Sequence, residues 1–576
     1  MYIKNVHIQN FRNFTNINIP LKAYTTIIGE NDSGKSNFME ALKLPMASND
    51  FSFSAKRLQL TDFNDFSMRN FWKEFKKNKD DIRKVVEQGG ELNGILNSLP
   101  VTVVEISFVD AINSYEMAIL NEWIDEDDDG ICYRVRYKFF PRRGIDVINY
   151  LLEMLDEDQD AGIEIFPVDL YDYEITSPNN DKRINSRSIS NVKISVIGAE
   201  RDEFSEGTNR KSNRIVSDML HKNLSNKDKS TIHQAYEEFF QIIESADSFK
   251  KAFSYLENKG INNLDDFVKQ IKLIPNFPDL KNIFTNITIG YGQDYLFQKG
   301  LGTRNFLLLM ILFSYYYSQS QTFNIICVEE PESHLCVNHF NLYLDFMIKS
   351  SQVQSSLSQI IVSSHNTKII NKLKLDNVLV LRDNKAIDFS QIDKTLVNYL
   401  SKRPNFDTLK LLFTKRIILV EGPTEEMLIN TLLSKELNRI FEVEVLAVGH
   451  KGFTRYLDIW LELNRENDNV KIGIIRDFDN QENAKKNHDK YDEEHKNIMV
   501  RTTDGYTLED DLVRTASNCD KLSRHYNIEN DPSAVIAFMK KKKAESMLDL
   551  CLEISEESLN LDAPNHIKEV IEWIIM

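Results

Sequence analysis

A short apolar strand that runs into a glycine-bracketed loop and then a helix leaves a chain few choices of fold. This chain has such a passage at residues 24–44. In YTTIIGENDSGKSNFMEALKL, Ile27 and Ile28 precede Gly29-Glu30-Asn31-Asp32-Ser33-Gly34-Lys35-Ser36, and an amphipathic helical pattern follows. The spacing G-x-x-x-x-G-K-S lets backbone N–H groups turn inward around phosphate at a helix N-terminus. Lys35 is then placed to reach the β- and γ-phosphates, and Ser36 to ligate Mg²⁺. The first expectation is an α/β fold that binds ATP, with Asn31, Gly34, Lys35, Ser36 and Asn37 as its contacts.

The partner of that loop comes late. In FNIICVEEPESHL the buried-strand run Ile325 to Val328 ends on Glu329 and Glu330, as a Walker B strand does. Glu329 is expected to hold Mg²⁺ through water, and Glu330 to orient or deprotonate the hydrolytic water. Downstream, QIIVSSHNTKII is a second apolar strand that ends at His365.

With the opening IQNFRNF, these segments resemble the ABC-type ATPases of the RecF, Rad50 and SMC group. The resemblance makes His365 a catalytic switch residue and places a signature helix in GLGTRNFLLLMILF, Gly300 to Phe313. That stretch departs from the group's LSGGQ pattern and leaves Gly300, Gly302 and Thr303 as the residues that would cap ATP on another protomer. A homodimer or higher homo-oligomer follows from the same resemblance. Arg12 is either a phosphate contact or a surface arginine beside an aromatic pair.

At 576 residues the chain exceeds one ordinary core, since single cores stop growing at roughly 250–300 residues. Hydrophobic content of 42% and charged content of 27% are those of a globular protein, and no apolar run approaches the roughly 20 residues that span a bilayer. The opening MYIKNVHIQNFRNF alternates like a strand and lacks a signal-peptide core, so the cytosol and no membrane association are expected. Cys132, Cys327, Cys336, Cys519 and Cys551 form no C-x-x-C pair, which speaks against a disulfide framework and a zinc ribbon. A net charge of −17 argues against passive coating of nucleic acid, but not against a local basic groove beside an acidic, Mg²⁺-dependent site.

The strand in VKISVIGAERDEF, Val192 to Phe204, closes the first part of the ATPase. From about Thr208 to Pro275 the sequence turns polar and helical, as in QAYEEFFQIIESADSFKKAF. The expected division is ATPase 1–207, a helical insertion 208–275 that is either a surface hairpin or, as the resemblance implies, a dimerisation arm, ATPase 276–400, and a further α/β domain 401–576.

That last domain restarts past Lys402-Arg403-Pro404. Glu421 follows Ile417-Ile418-Leu419-Val420, and Glu425 lies one helical turn on if a helix begins at Pro423. LAVGHKGF reads as the next strand with a glycine turn. KIGIIRDFDNQE carries Asp477 and Asp479 at a strand end, and YTLEDDL offers Glu509, Asp510 and Asp511. Such hard oxygen ligands suit Mg²⁺ or Mn²⁺, and a pair of these ions about 3.5–4 Å apart activates water and stabilises the leaving oxygen of a phosphodiester. The alternative is a set of acids that merely solvate the mouth of an α/β sheet.

The order of these acids resembles the TOPRIM fold of topoisomerases, primases and certain nucleases. An ATPase of this kind followed by TOPRIM is similar to the OLD (overcoming lysogenization defect) family. The resemblance implies metal ligation by Glu421, Glu425, Asp477, Asp479 and the later acid Glu509, and a catalytic lysine within Lys540–Lys543, for which Lys543 is favoured because the AESMLDL helix follows it. It implies an ATP-regulated, Mg²⁺- or Mn²⁺-dependent DNA endonuclease of antiphage defence. Its partner would be a helicase, as in Gabija, or a reverse transcriptase with its non-coding RNA and DNA, as in a retron. The competing reading is a RecF-like DNA-binding ATPase scaffold with a silent TOPRIM domain. RNA cleavage is a third.

Overall fold

The computed structural model describes the chain except for residues 49–55, 89, 91–92, 110, 112–113, 128–129, 180, 199–216, 218, 222–223, 249–250, 252–283, 285–289, 318–322, 352–357, 367–374, 393, 396–407, 438–442, 450–451, 465–466 and 468. It packs as two compact units, one of Met1–Thr15, Leu21–Tyr24 and Ser36–Ser363, the other of Asn16–Pro20, Thr25–Lys35 and Ser364–Met576.

The first unit contains an antiparallel sheet and a parallel one. In the antiparallel sheet Thr102–Phe108 lies between Ile3–Phe11 and the long strand Gly130–Pro141, which also pairs with Ile124–Asp127 and Tyr171–Thr176. Thr102–Phe108 alternates buried and half-buried residues, the pattern of a sheet with one covered face. In the parallel sheet Phe323–Glu329 lies between Val192–Ile197 and Ser358–Ser364, and Val192–Ile197 also pairs with Ala47–Ser48. All of Phe323 to Val328 is buried, as a central parallel strand covered on both faces requires, and exposure begins only at Glu329. The expected strand at 192–204 is thus seen to Ile197, and residues 199–204 lie outside the described residues.

Most of the expected insertion, 208–275, also lies outside the described residues. Within it, Asn226–Ser245 forms a 20-residue helix whose N-cap Ser225 exchanges hydrogen bonds with Asp228. Among the described residues, no helix is long and apolar enough to cross a membrane.

The second unit is built on a four-stranded parallel sheet in the order Glu444–Ala447, Arg416–Val420, Lys471–Arg476, Ile498–Thr502. The two-residue period of a strand explains its apolar runs. Ile417 and Leu419 enter one core with Tyr456, Trp460 and Ile472, whereas Ile418 and Val420 enter another with Leu428, Ile475 and Val570. Gly473 is needed where the helix Asn565–Ile575 crosses the sheet, because an added Cβ there would stand 2.5 Å from Val570 Cγ1.

The strand before the phosphate loop belongs to this unit as well. Thr26, Ile27 and Ile28 pair in parallel with Val378, Leu379 and Val380, and Ile28, Val378 and Val380 are buried in the same core as Leu411 and Trp460. Apolar burial thus joins residues on both sides of 400/401.

Candidate functional site

The phosphate loop leaves its strand at Ile28 and enters the helix Lys35–Lys43. Gly29 cannot carry a Cβ, which would meet Ser33 Oγ at 2.2 Å and Leu381 O at 2.7 Å, and Gly34 adopts φ +99°. Lys35 is buried, and its ammonium donates to the carbonyls of Gly29 and Glu30 at 2.8 Å each. Asn31 is exposed on the loop.

In the first unit, Ser36 hydrogen-bonds the carboxylate of Glu329, so a phosphate-loop hydroxyl and a Walker B acid share one place. Burial raises the Glu329 pKa, and the Ser36 bond partly offsets it. Glu330 turns out of the strand with φ +41°, and its amide donates to Ser363 O at 2.9 Å. Asn37 accepts from Arg12 at 3.1 Å and donates to Asn13 at 2.8 Å, while Arg12 also pairs with Asp62 at 3.0 Å. Arg12 is thus held beside Asn37 by an acid. Gly302 lies in the first turn of the helix Leu301–Tyr317, where a Cβ would meet His334 O at 2.7 Å, so the residue after the Walker B turn requires glycine there. Gly300 O accepts from the amide of Thr303. In the second unit, His365 is exposed directly after its strand.

The acids of the C-terminal sheet gather at the carboxyl ends of its strands. The helix after Glu421 begins at Pro423, so Glu425 lies in its first turn and is only 4% exposed. Pro is suited to that first position, having no N–H to leave unpaired. Glu421 Oε1 accepts from the Asp477 amide at 3.2 Å, and Asp477 Oδ1 accepts from the Leu508 amide at 2.9 Å. Glu509 is 3% exposed and accepts from Thr507 Oγ1 at 2.8 Å. Asp479 takes φ +47°, and its amide donates to Tyr506 O at 3.1 Å.

These carboxylates act on one another. Burial first, then the charges of Glu421, Glu425, Glu509 and Asp479, push Asp477 up to about 8. Glu421 is also raised, chiefly by burial, with Asp479 and Glu425 adding to it. Among the described residues, no three His, Cys, Asp or Glu side chains are drawn in around a single ion position. The donor set still fits a divalent ion: all its members are hard oxygens, and their crowding carries an electrostatic penalty that a cation relieves.

Lys540 stands beside this loop. Its ammonium is 2.8 Å from Asp510 Oδ2, whereas Lys543 is exposed at the start of the next helix, Lys543–Ser555. Lys540 is thus bonded to the acid next to Glu509, and Lys543 begins the following helix. The helix Pro532–Lys541 stops before Lys543, so the two lysines do not share one helical phase.

Three further features, Arg476, the contact of Asp511 with His566, and Tyr506, were not singled out from sequence. Buried Arg476 contacts His488 Nδ1 at 3.3 Å, and Glu421, Asp489, Asp479 and Asp477 favour its charge although burial lowers its pKa. A lone arginine closing the apolar run KIGII was the available signal. Asp511 accepts from the amides of Asp504 and Gly505 at 2.8 and 2.6 Å and lies 3.1 Å from His566 Nδ1, which fixes the loop ahead of Glu509. Burial opposes the Asp511 charge, but His566 and the two amides hold its pKa below the usual carboxylate range. Tyr506 is the third.

A nucleotide loop with a Walker B strand, followed on the same chain by a parallel sheet rimmed with acids, defines an ATPase joined to a TOPRIM domain. The family described as AAA ATPase domain matches residues 1–370, and the family described as overcoming lysogenization defect protein-like, TOPRIM domain, matches residues 412–479. The chain belongs to the AAA ATPase domain family and, with its TOPRIM segment, to the OLD nuclease family.

It is 22% identical over 524 residues to endonuclease GajA of Bacillus cereus strain HuB5-5, covering 77% of this chain and 73% of that one. A second endonuclease GajA, of Bacillus cereus strain VD045, is 25% identical over 487 residues, covering 79% and 72%. Among solved structures, the SMC head domain from Thermotoga maritima shares 14% identity at a TM-score of 0.27, covering 67% of this chain and 97% of that one. The assignment rests on the families and the sequence relatives.

Proposed function

We propose that this protein is an ATP-regulated, metal-dependent DNA endonuclease of antiphage defence. The observation that carries the reading is the clustering of Glu421, Glu425, Asp477 and Glu509 at one end of a parallel sheet, where burial first and then the charges of its neighbours push Asp477 up to about 8. Glu421, Glu425, Asp477, Asp479 and Glu509 would hold Mg²⁺ or Mn²⁺. Bound there, such ions would supply an activated water and stabilise the leaving oxygen of the phosphodiester.

The chain's own residues do the rest. Arg476 offsets part of the acidic charge, Asp511 and His566 hold the loop that presents Glu509, and Lys540 brings a cation to the rim for the scissile phosphate. In the ATPase, Asn31, Gly34, Lys35, Ser36 and Asn37 bind the nucleotide, and Gly302 contacts the nucleotide of a second protomer. Ser36 and Glu329 hold its Mg²⁺, and Glu330 and His365 handle the hydrolytic water. The functional division proposed is ATPase 1–207 and 276–400, a dimerisation insertion 208–275 and nuclease 401–576.

A cytosolic homo-oligomer fits this reading. Its second component is a helicase or a reverse transcriptase with its nucleic acid, and co-purification with each decides between them. The activity is tested by supercoiled-plasmid cleavage with Mg²⁺, Mn²⁺ or EDTA across ATP concentrations. Cation-dependent nicking that changes with ATP supports the proposal, and an uncut plasmid under every condition sinks it.

A further inference from the structure

Residues 503–507 connect the strand Ile498–Thr502 to the helix Leu508–Arg514, which carries Glu509. Two bonds fix this loop to the turn that bears Asp479. Thr503 Oγ1 accepts from the Phe478 amide at 2.9 Å, and Tyr506 O accepts from the Asp479 amide at 3.1 Å. The backbone of Tyr506 is therefore set against one of the proposed metal-site acids. Its neighbours Leu508 and Glu509 are buried, yet Tyr506 is 48% exposed. Lys540 lies over its ring, 5.4 Å from the centroid, while bonded to Asp510.

A single exposed tyrosine is ordinary on a protein surface. This one differs because its backbone is pinned to the acid site and its ring carries the cation at that site's rim. An aromatic face next to a phosphate-directed cation is how proteins hold an unstacked nucleobase, since every base offers a π-face and stacking adds to the backbone contact.

The geometry points to Tyr506 as a stacking platform for a nucleobase beside the scissile phosphate, which makes the preferred substrate DNA that is unpaired or easily unstacked at the cut. The inference rests on the endonuclease reading. It implies that the duplex is opened next to the break and that single-stranded or distorted DNA is cut in preference to regular duplex.

The test uses the full-length protein and DNA whose thymines are replaced by 5-iodouracil, which cross-links on irradiation to an aromatic ring stacked on it. The expected cross-link maps to Tyr506. Tyr506→Leu should lose it and raise the KM for cleavage about 5- to 100-fold, with kcat and ATP hydrolysis near the parent's values. Tyr506→Phe and Tyr506→Trp should restore KM, because stacking needs the ring and not the hydroxyl. An abasic residue beside the cut should erase the difference between the parent and Tyr506→Leu. A parent-like KM in Tyr506→Leu overturns the inference, as does a difference that survives the abasic substitution, for then the ring only props Lys540. DNA that cross-links at Tyr506 but is never cut leaves the platform standing and removes the endonuclease reading alone.

Discussion

The cost of crowding acids around Asp477 can be measured by removing one. Asp477 is 7% exposed, and its pKa is raised from 3.8 to about 8. Its folded-state pKa lies above the unfolded one, so the stability this group allows is fully present below about pH 4 and is lost as pH rises toward about 8. Each pH unit in that window removes about 1.4 kcal/mol, which gives about 4 kcal/mol by neutral pH as an upper bound and about 2 kcal/mol if the neighbouring acids relax by half. Asp477→Asn keeps an oxygen for the Leu508 amide but carries no charge. It should therefore stabilise the cation-free protein by about 2–4 kcal/mol at neutral pH and by almost nothing near pH 4. The assay is hydrogen exchange of the Lys471–Arg476 strand in EDTA and moderate urea, with parent and variant compared at one pH, where protection should rise about 30-fold or more at neutral pH. Mg²⁺ should protect the parent strand and leave the variant unchanged. Parent-like or faster exchange in Asp477→Asn at neutral pH would refute the electrostatic argument.

Other expectations follow from the same contacts. Lys35→Ala should weaken ATP binding, whereas Glu330→Gln should bind ATP and stop phosphate release, and wild-type turnover in Glu330→Gln would show that Glu330 does not handle the water. Lys540→Ala should slow plasmid nicking by about 100-fold or more while Lys543→Ala stays near the parent, and the reverse order would restore Lys543. Gly473→Ala should lower the urea midpoint by an amount equivalent to about 1–3 kcal/mol, because its Cβ would press on Val570. Sedimentation should find at least a homodimer, and a strictly monomeric species with full ATPase activity would contradict the assignment of Gly302 to a neighbouring nucleotide.

Most of both sites could be read in the chain because each lies where an apolar run meets a functional residue. Ile27-Ile28 before Gly29, Ile325–Val328 before Glu329 and Ile417–Val420 before Glu421 are buried strands, and each functional residue follows where the apolar run stops. Which lysine of the run meets Asp510 was not legible, since four successive lysines have the same composition and the helix restarts between Lys541 and Lys543. The Asp511–His566 contact spans 55 positions and carries no local pattern. The placement of Ile28 in one core with Leu411 and Trp460 is likewise tertiary: any buried parallel strand would give the same run of isoleucines. It also matters for function, because the strand that feeds the phosphate loop packs in the unit that holds the acids, a physical route by which nucleotide binding can bias cleavage.

The central claim is that the acids at the end of this sheet cut DNA and that the phosphate loop serves a separate reaction. Glu421→Ala addresses it most directly, since Glu421 is half-buried at a strand end and its loss should cost little folding energy beside a core substitution. Plasmid nicking and phosphate release should be measured on the same folded preparation, with Mg²⁺ or Mn²⁺. The account predicts that nicking falls by orders of magnitude while ATP hydrolysis stays measurable. Cleavage at the parent's rate would contradict it and leave a DNA-binding ATPase scaffold in its place.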